Sequence, residues 1–414
     1  MDRVLQRILR IPFRPHHNHV TSIPTESRAW EIYRFGPTLK CALDKELHLT
    51  RTRRTPPITN PNDLLIHSQT VSLNPIDGLM LTGYGATVFR NYRRFCSSNC
   101  PTGEFPFTPG HDFAGIVADS GPNVSSNLSF PPGSPVMGAT MPYTSTLGGG
   151  CLSDYFICPA TAIAKRPEKL DPVLAAAVSY SGLTAWGALS SAGVNPVGRV
   201  EDAPKRVLVT GVTGAVGAIA AQLSRIAGTS HISVTAPPRV KPSDLKSLLG
   251  VDEVILAPEI PNADVKYDVI IDCVRPEILK NPAKVPEWKH IEFQEYFPLL
   301  RNLESSNCSS RYVIVNPPLL QFIDQWGLWC GIGTSLASLI YSNFQALISE
   351  HGSAPLRWTF FQPSGERLEK LADWLVKGLL HVPVEKVYDF ENVPAAFEKM
   401  AAGGNNGKIV VKLE

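Results

Sequence analysis

The chain has 414 residues, 43% of them hydrophobic and 18% charged, which describes a folded protein with room for two cores and excludes a disordered one. The net charge of +2 is uneven: residues 1–54 hold 11 Lys/Arg against 5 Asp/Glu, so the remainder carries −4 and offers no electrostatic footprint for nucleic acid. Eight cysteines (41, 96, 100, 151, 158, 273, 308 and 330) are scattered without a CxxC pair, which argues against a disulfide framework and for reduced thiols in a reducing compartment.

The first 20 residues, MDRVLQRILRIPFRPHHNHV, place Arg3, Arg7, Arg10 and Arg14 on one face of a helix. Val4, Leu5, Ile8, Leu9 and Ile11 take the other face, and Asp2 is the single acid. An Arg-rich, acid-poor amphipathic start is the pattern of a mitochondrial presequence, here assigned with its linker to residues 1–29. The alternative is a basic, unstructured tail.

Residues 30–60 are mixed and end in a Pro/Asn turn cluster. DLLIHSQTVSLNP then alternates as a half-buried strand does, and Gly and Pro punctuate residues 100–150 into short strands and loops. DPVLAAAVSYSGLTAWGALSSAG predicts a helix with Asp171 as N-cap, Pro172 in the first turn and a glycine stop. From residue 204 the pattern becomes strand RVLVT, loop GVTGAVG, helix AIAAQLSRIAG, strand HISVTA, helix SDLKSLLG, then strands DEVIL and YDVIIDCV. Strands joined by helical crossovers predict a doubly wound parallel α/β sheet of the Rossmann type.

GVTGAVG (211–217) is G-x-x-G-x-x-G set between a strand and a helix, the arrangement that cradles a dinucleotide pyrophosphate on helix N-terminal amides. Gly211, Thr213, Gly214, Ala215, Val216 and Gly217 are therefore candidate cofactor contacts. After the second strand, VTAPPRVKPSD supplies Thr235, Arg239 and Lys241 before the first acid, Asp244. Two cations and no early acid favour a ribose 2′-phosphate, so the expected cofactor is NADPH. The competing reading is a plain strand–turn–helix with two solvated cations.

Together the stretches LLIHSQTVSLNPIDGLM, PGHDFAGIV, GGGCLSDYFICPA, SGLTAWGAL, VLVTGVTGAVG and GKIVVKL resemble the medium-chain dehydrogenase/reductase superfamily, in family order over residues 60–414. The resemblance implies a mainly β, GroES-like catalytic domain, assigned to 30–170 and 346–414, around an NADPH-binding Rossmann domain at 171–345. In the zinc branch, cysteine ligands stand where this chain has Asn74 and Tyr180, so His111 and Asp112 alone make too few ligands for zinc. No metal site is expected, and His111 becomes a packed or surface residue.

LNPIDGLMLTGYGA, GEFPFTPGHDFAGIV, RWTFFQPSGERL and GNNGKIVV resemble the zinc-free branch, in particular a mitochondrial member associated with NADPH-dependent quinone reduction and ubiquinone biosynthesis in the matrix. The resemblance adds Cys273, Val315, Phe361 and Lys408 to the cofactor contacts and makes Tyr84 and Asn74 the catalytic candidates. Tyr84 is a hydrogen-bond donor to substrate or a packing residue; Asn74 orients substrate or caps a turn. The DCVRPE corner at 272–277 departs from the family's DxVGG.

The expected partner is a small, lipophilic, quinone-like molecule. Contact with a membrane surface or with mitochondrial proteins is compatible with this reading, and homo-oligomerisation stays open. The uncharged stretch 325–349 is read as core helix and domain junction, with an exposed apolar lid as the alternative. Reduction of 2-enoyl thioesters, or an NADPH-binding assembly factor with little turnover, are the rival functions.

Overall fold

The computed structural model describes residues 23–96, 105–127, 130–142, 150–198, 206–257, 265–274, 297–301, 310–348 and 356–414. The arginine-rich start, Cys100, Cys308 and all but the first three residues of the DCVRPE corner lie outside them.

The described residues open with a hairpin that the mixed composition of residues 30–60 conceals. Strands β1 (Glu26–Glu31) and β2 (His48–Arg54) pair antiparallel. Trp30 is buried and donates from Nε1 to the Phe390 carbonyl at 2.8 Å, while Arg28 pairs with Asp154 at 2.9 Å. Residues 26–29, expected to be linker, are thus folded strand.

β3 (Asp63–Leu73) follows as the alternation predicts, then helices α1 (Pro75–Met80) and α2 (Ala86–Cys96). Strands β4 (Asp112–Ser120), β5 (Pro135–Ala139), β6 (Tyr155–Pro159) and β7 (Ile163–Lys165) complete this part. α3 (Pro172–Ser191) begins as predicted, with the Asp171 side chain accepting from the Val173 amide at 2.7 Å.

The parallel α/β half uses β8 (Arg206–Val209), α4 (Ala215–Ile226), β9 (His231–Ala236), α5 (Pro242–Leu249), β10 (Glu253–Leu256), β11 (Val269–Asp272), β12 (Arg311–Ile314), α6 (Leu319–Trp326), α7 (Leu328–Ile348) and β13 (Leu356–Trp358). Its six-stranded sheet runs β10-β9-β8-β11-β12-β13, every neighbour parallel. Its central strands read as short apolar runs because parallel sheets are covered on both faces. The doubly wound prediction holds, but β13 shows that this sheet runs past the boundary expected at residue 345.

The chain ends with α8 (Gly365–Val376), β14 (Val384–Asp389), α9 (Val393–Ala401) and β15 (Lys408–Lys412). The larger, mostly antiparallel sheet is ordered β14-β15-β3-β4-β5-β7, with β6 also paired to β3. α3 lies between the two sheets, against β3, β4 and β5 on one side and α4 on the other. It is uncharged and apolar enough to cross a membrane by length and composition, yet 78% of its apolar window is buried, which makes it a core helix.

Candidate functional site

The cofactor cradle forms where β8 turns into α4. Gly211 adopts φ +67°, which favours glycine, and its amide donates to Thr235 Oγ1 at 3.1 Å. A Cβ on Gly217 would lie 2.7 Å from the Gly211 carbonyl oxygen, so the first helical turn can approach the loop only with glycine there. Gly214 precedes Ala215, the first residue of α4, and Thr213, Gly214 and Val216 keep exposed surface. The first amides of an α-helix lack intrahelical acceptors, so this loop fits the pyrophosphate of a nicotinamide dinucleotide.

The structure gives Thr235 a different job from the one expected. It is buried and its hydroxyl braces the Gly211 turn, which places it behind the cradle. Arg239 and Lys241 are exposed beyond the end of β9, with Arg239 Nη2 at 3.4 Å from Asn406 Oδ1.

Beside the cradle, a polar network that sequence reasoning missed fixes the end of β11. Thr210 donates from Oγ1 to Asp272 Oδ1 at 2.7 Å, and Tyr312 donates to Asp272 Oδ2 at 2.8 Å. The same Thr210 hydroxyl accepts from the Cys273 amide at 3.1 Å. Burial pushes the Asp272 carboxyl up, against these hydrogen bonds, and burial also pushes the Cys273 thiol up, which makes Cys273 a wall residue and not a nucleophile. Val315 donates from its amide to the Asp272 carbonyl at 3.1 Å. Cys273 and Val315 therefore stand side by side at the carboxyl ends of parallel strands, where doubly wound sheets bind ligands.

The other wall comes from the antiparallel sheet. Ile409 pairs with Leu73, so Lys408 stands next to Asn74, which is 334 positions away in sequence. Lys408 Nζ lies 2.7 Å from Asn74 Oδ1 and 2.9 Å from Asp112 Oδ2, and Asn74 Nδ2 donates to Asp112 Oδ2 at 2.9 Å. The Tyr180 amide donates to the second Asp112 oxygen. All these side chains except that of Tyr180 are buried. Burial pushes the Asp112 carboxyl up to about 6, opposed first by the Lys408 ammonium. At pH 7 the Asp112 carboxyl is therefore mostly ionised.

Asn74 caps the turn at the start of α1, where its backbone amide donates to Asp77 Oδ2 at 2.6 Å, and its side chain joins the cluster. His111, fully buried, contacts Asp77 through Nδ1, so it is the packed residue of the two alternatives. Asp112, Asp77 and Tyr180 are the residues whose roles sequence reasoning missed. The one signal was their position at or beside the places where zinc ligands would stand.

The two walls meet through Tyr180 and Phe361, whose rings stack at 4.0 Å and 12°. Phe361 and Val315 belong to one apolar core, with Tyr180, Val216 and Cys273 packed against it. Tyr84 sits half-buried in the turn between α1 and α2, between two glycines at positive φ. Asp324 of α6 holds that turn, accepting from the Gly85 amide at 2.5 Å and the Thr87 amide at 3.0 Å.

The donor set does not suit zinc. Among the described residues no group of three or more His, Cys, Asp or Glu could hold a metal, and the ammonium of Lys408 already neutralises Asp112.

Family models match at residues 60–168, described as an alcohol dehydrogenase GroES-like domain, and at 327–411, described as a zinc-binding dehydrogenase. The chain is 31% identical over 400 residues to the mitochondrial NAD(P)H oxidoreductase RTN4IP1 of Drosophila melanogaster, covering 93% of this chain and 86% of that protein. The human protein of the same name is 29% identical over 406 residues, covering 93% and 89%. The quinone oxidoreductase of Coxiella burnetii shares the fold, with TM-score 0.67, 22% identity and coverage of 94% of this chain and all of that one. A glycine cradle, a cation-filled cluster in place of a ligand set, and similarity along nearly the whole chain agree: the chain belongs to the mitochondrial reticulon-4-interacting NAD(P)H oxidoreductases, a zinc-free branch of the medium-chain dehydrogenase/reductase superfamily.

Proposed function

We propose that this enzyme uses NADPH, in the mitochondrial matrix, to reduce a quinone or another conjugated carbonyl without a metal. The observation that carries this reading is the pairing of the glycine cradle with the buried Asn74–Asp112–Lys408 cluster across the Tyr180–Phe361 stack. The cofactor, when bound, supplies the hydride. The chain's own residues bind, orient and exclude water.

Gly211–Gly217 take the pyrophosphate, and Arg239 or Lys241 meets the 2′-phosphate with a charge-assisted bond. Cys273, Val315 and Phe361 form the dry wall of the nicotinamide end, and Lys408, paired with Asp112, holds the polar wall beside it. The Tyr84 hydroxyl donates a hydrogen bond to the acceptor oxygen as negative charge develops there. Reduction of a quinone to the hydroquinone consumes one hydride and one proton, so Tyr84 donates that proton and solvent restores it.

Steady-state oxidation of NADPH with short-chain quinones and with 2-enoyl-CoA esters tests the reading. Quinone-dependent turnover supports it. Turnover confined to enoyl thioesters, or binding of NADPH with no turnover on either, overturns it.

A further inference from the structure

The turn that carries Tyr84 has a backbone with unusual freedom. Gly83 and Gly85 flank the tyrosine at φ +89° and +76°. The Tyr84 amide reaches the Leu79 carbonyl at 3.2 Å, and the Ala86 amide reaches the Gly83 carbonyl at 3.1 Å. These bonds close the turn on α1. Its aim then depends on what holds the start of α2. The first amides of a helix have no acceptor within it. Here the acceptor comes from the other half of the molecule: Asp324 of α6 takes the Gly85 amide on Oδ2 and the Thr87 amide on Oδ1, the latter at 3.0 Å. A carboxylate at this place is favoured both as a cap and by the helix dipole.

α6 is itself firmly seated. Leu320, one turn before Asp324 on the same face, packs against the apolar core that holds Leu81 and Phe89 on either side of the Tyr84 turn. α7 presses on α6 as well, since a Cβ on Gly331 would come 2.3 Å from the Ile323 Cα. The uncharged stretch 325–349 is therefore not the core helix expected: α7 turns small residues such as Gly331, Ser335 and Ser338 inward and leaves Trp329 81% exposed. α6 also follows Val315 directly, through Asn316, Pro317 and Pro318, and prolines stiffen that link. A short, stiff path thus runs from Val315, beside the cofactor cradle, along α6 to Asp324 and the Tyr84 turn.

We propose that Asp324 is a positioning residue for the reduction: it fixes the Tyr84 hydroxyl relative to the nicotinamide end of the site. The inference rests on the reading of Tyr84 as hydrogen-bond donor to the substrate. Tyr84 belongs to the antiparallel half and the cradle to the parallel half, yet both must act on one substrate molecule. A displacement of about 1 Å between such groups can cost up to ~100-fold in rate. Asp324 is the charged contact that spans the two halves at the tyrosine, with both oxygens engaged on its turn.

Steady-state NADPH oxidation with a short-chain quinone, in single and double variants, tests this. Asp324→Ala should lower kcat by about the factor that Tyr84→Phe does, tenfold or more, with NADPH Kd and quinone KM each within about twofold of the parent. Joined to Tyr84→Phe it should cost nothing further, because both changes remove the same hydrogen bond. Asp324→Asn keeps one acceptor and should recover part of the rate; it decides the matter if the alanine variant fails to fold. Hydrogen exchange should quicken at the Gly85 and Thr87 amides of Asp324→Ala and stay unchanged along β8 and β12. Losses that multiply in the double variant, an unchanged kcat in Asp324→Ala, an asparagine variant no faster than alanine, or unchanged exchange at Gly85 and Thr87 each overturns the proposal and leaves quinone reduction standing. An unchanged kcat in Tyr84→Phe alone removes Tyr84 as donor and this role of Asp324 with it. A parent enzyme without quinone turnover overturns the functional reading itself, and the proposal falls with it.

Discussion

The two walls of the site differ in how the chain builds them. The cradle is local: a strand, a turn and a helix within residues 206–226, braced by Thr235 from the neighbouring strand. The cluster is assembled from Asn74, Asp112, Tyr180 and Lys408, each on a different element, and the registers of β15 and β4 on β3, with α3 packed beside them, bring them together. A local motif tolerates change around it because its geometry is carried by its own backbone. A cluster of buried charge depends on every member, since removal of one leaves another desolvated and unpaired.

The largest effect should therefore come from the cluster. Lys408→Met leaves Asp112 buried without its cation and should cost about 3–5 kcal/mol of stability in urea unfolding at pH 8. Adding Asp112→Asn should recover most of that loss. A near-neutral Lys408→Met would show that the pair is not coupled as the distances indicate.

The pH dependence separates the walls next. Because burial raises the folded-state Asp112 carboxyl to about 6, above its unfolded value, its stability contribution is complete below about pH 4 and is lost as pH rises through 6. The shift corresponds to roughly 3 kcal/mol. Asp112→Asn should remove this slope between pH 4 and 6, read as the difference between the two melting-temperature profiles. Parallel profiles would mean that Asp112 titrates normally in the fold.

On the cradle side, Arg239→Ala with Lys241→Ala should weaken NADPH about ten- to a hundredfold, the ~1.5–3 kcal/mol of a hydrogen bond to a charged group, and leave NADH little changed. Equal losses for both cofactors would move the 2′-phosphate elsewhere. The smallest effect expected is that of Tyr84→Phe: kcat should fall about tenfold or more while NADPH affinity holds. An unchanged kcat would leave substrate positioning as the protein's main contribution.

The same contrast explains what the sequence could reveal. α3, α4 and the parallel strands were legible because caps, apolar runs and a glycine loop act within a few residues. The β1–β2 hairpin was not, since its burial comes from contacts as distant as Phe390 and Asp154. α3 and α7 show the limit for long uncharged helices: both lack charge, but one is core and the other faces outward. What separates them is the backbone of α6 pressing on Gly331, a contact that no periodicity in α7 announces. In the site, Asn74 and Lys408 were named from resemblance, whereas their meeting at Asp112 needed the sheet register. Thr235 was misassigned because a hydroxyl at a strand end serves a ribose or a neighbouring turn equally well on paper.

The central claim is hydride transfer at the joint between these walls without a metal. Its most direct test is NADPH oxidation by a quinone before and after exhaustive chelation, with metal content measured on the same samples. The account predicts less than stoichiometric zinc and the same kcat in both. A rate that disappears on chelation and returns with about one zinc per chain would contradict it.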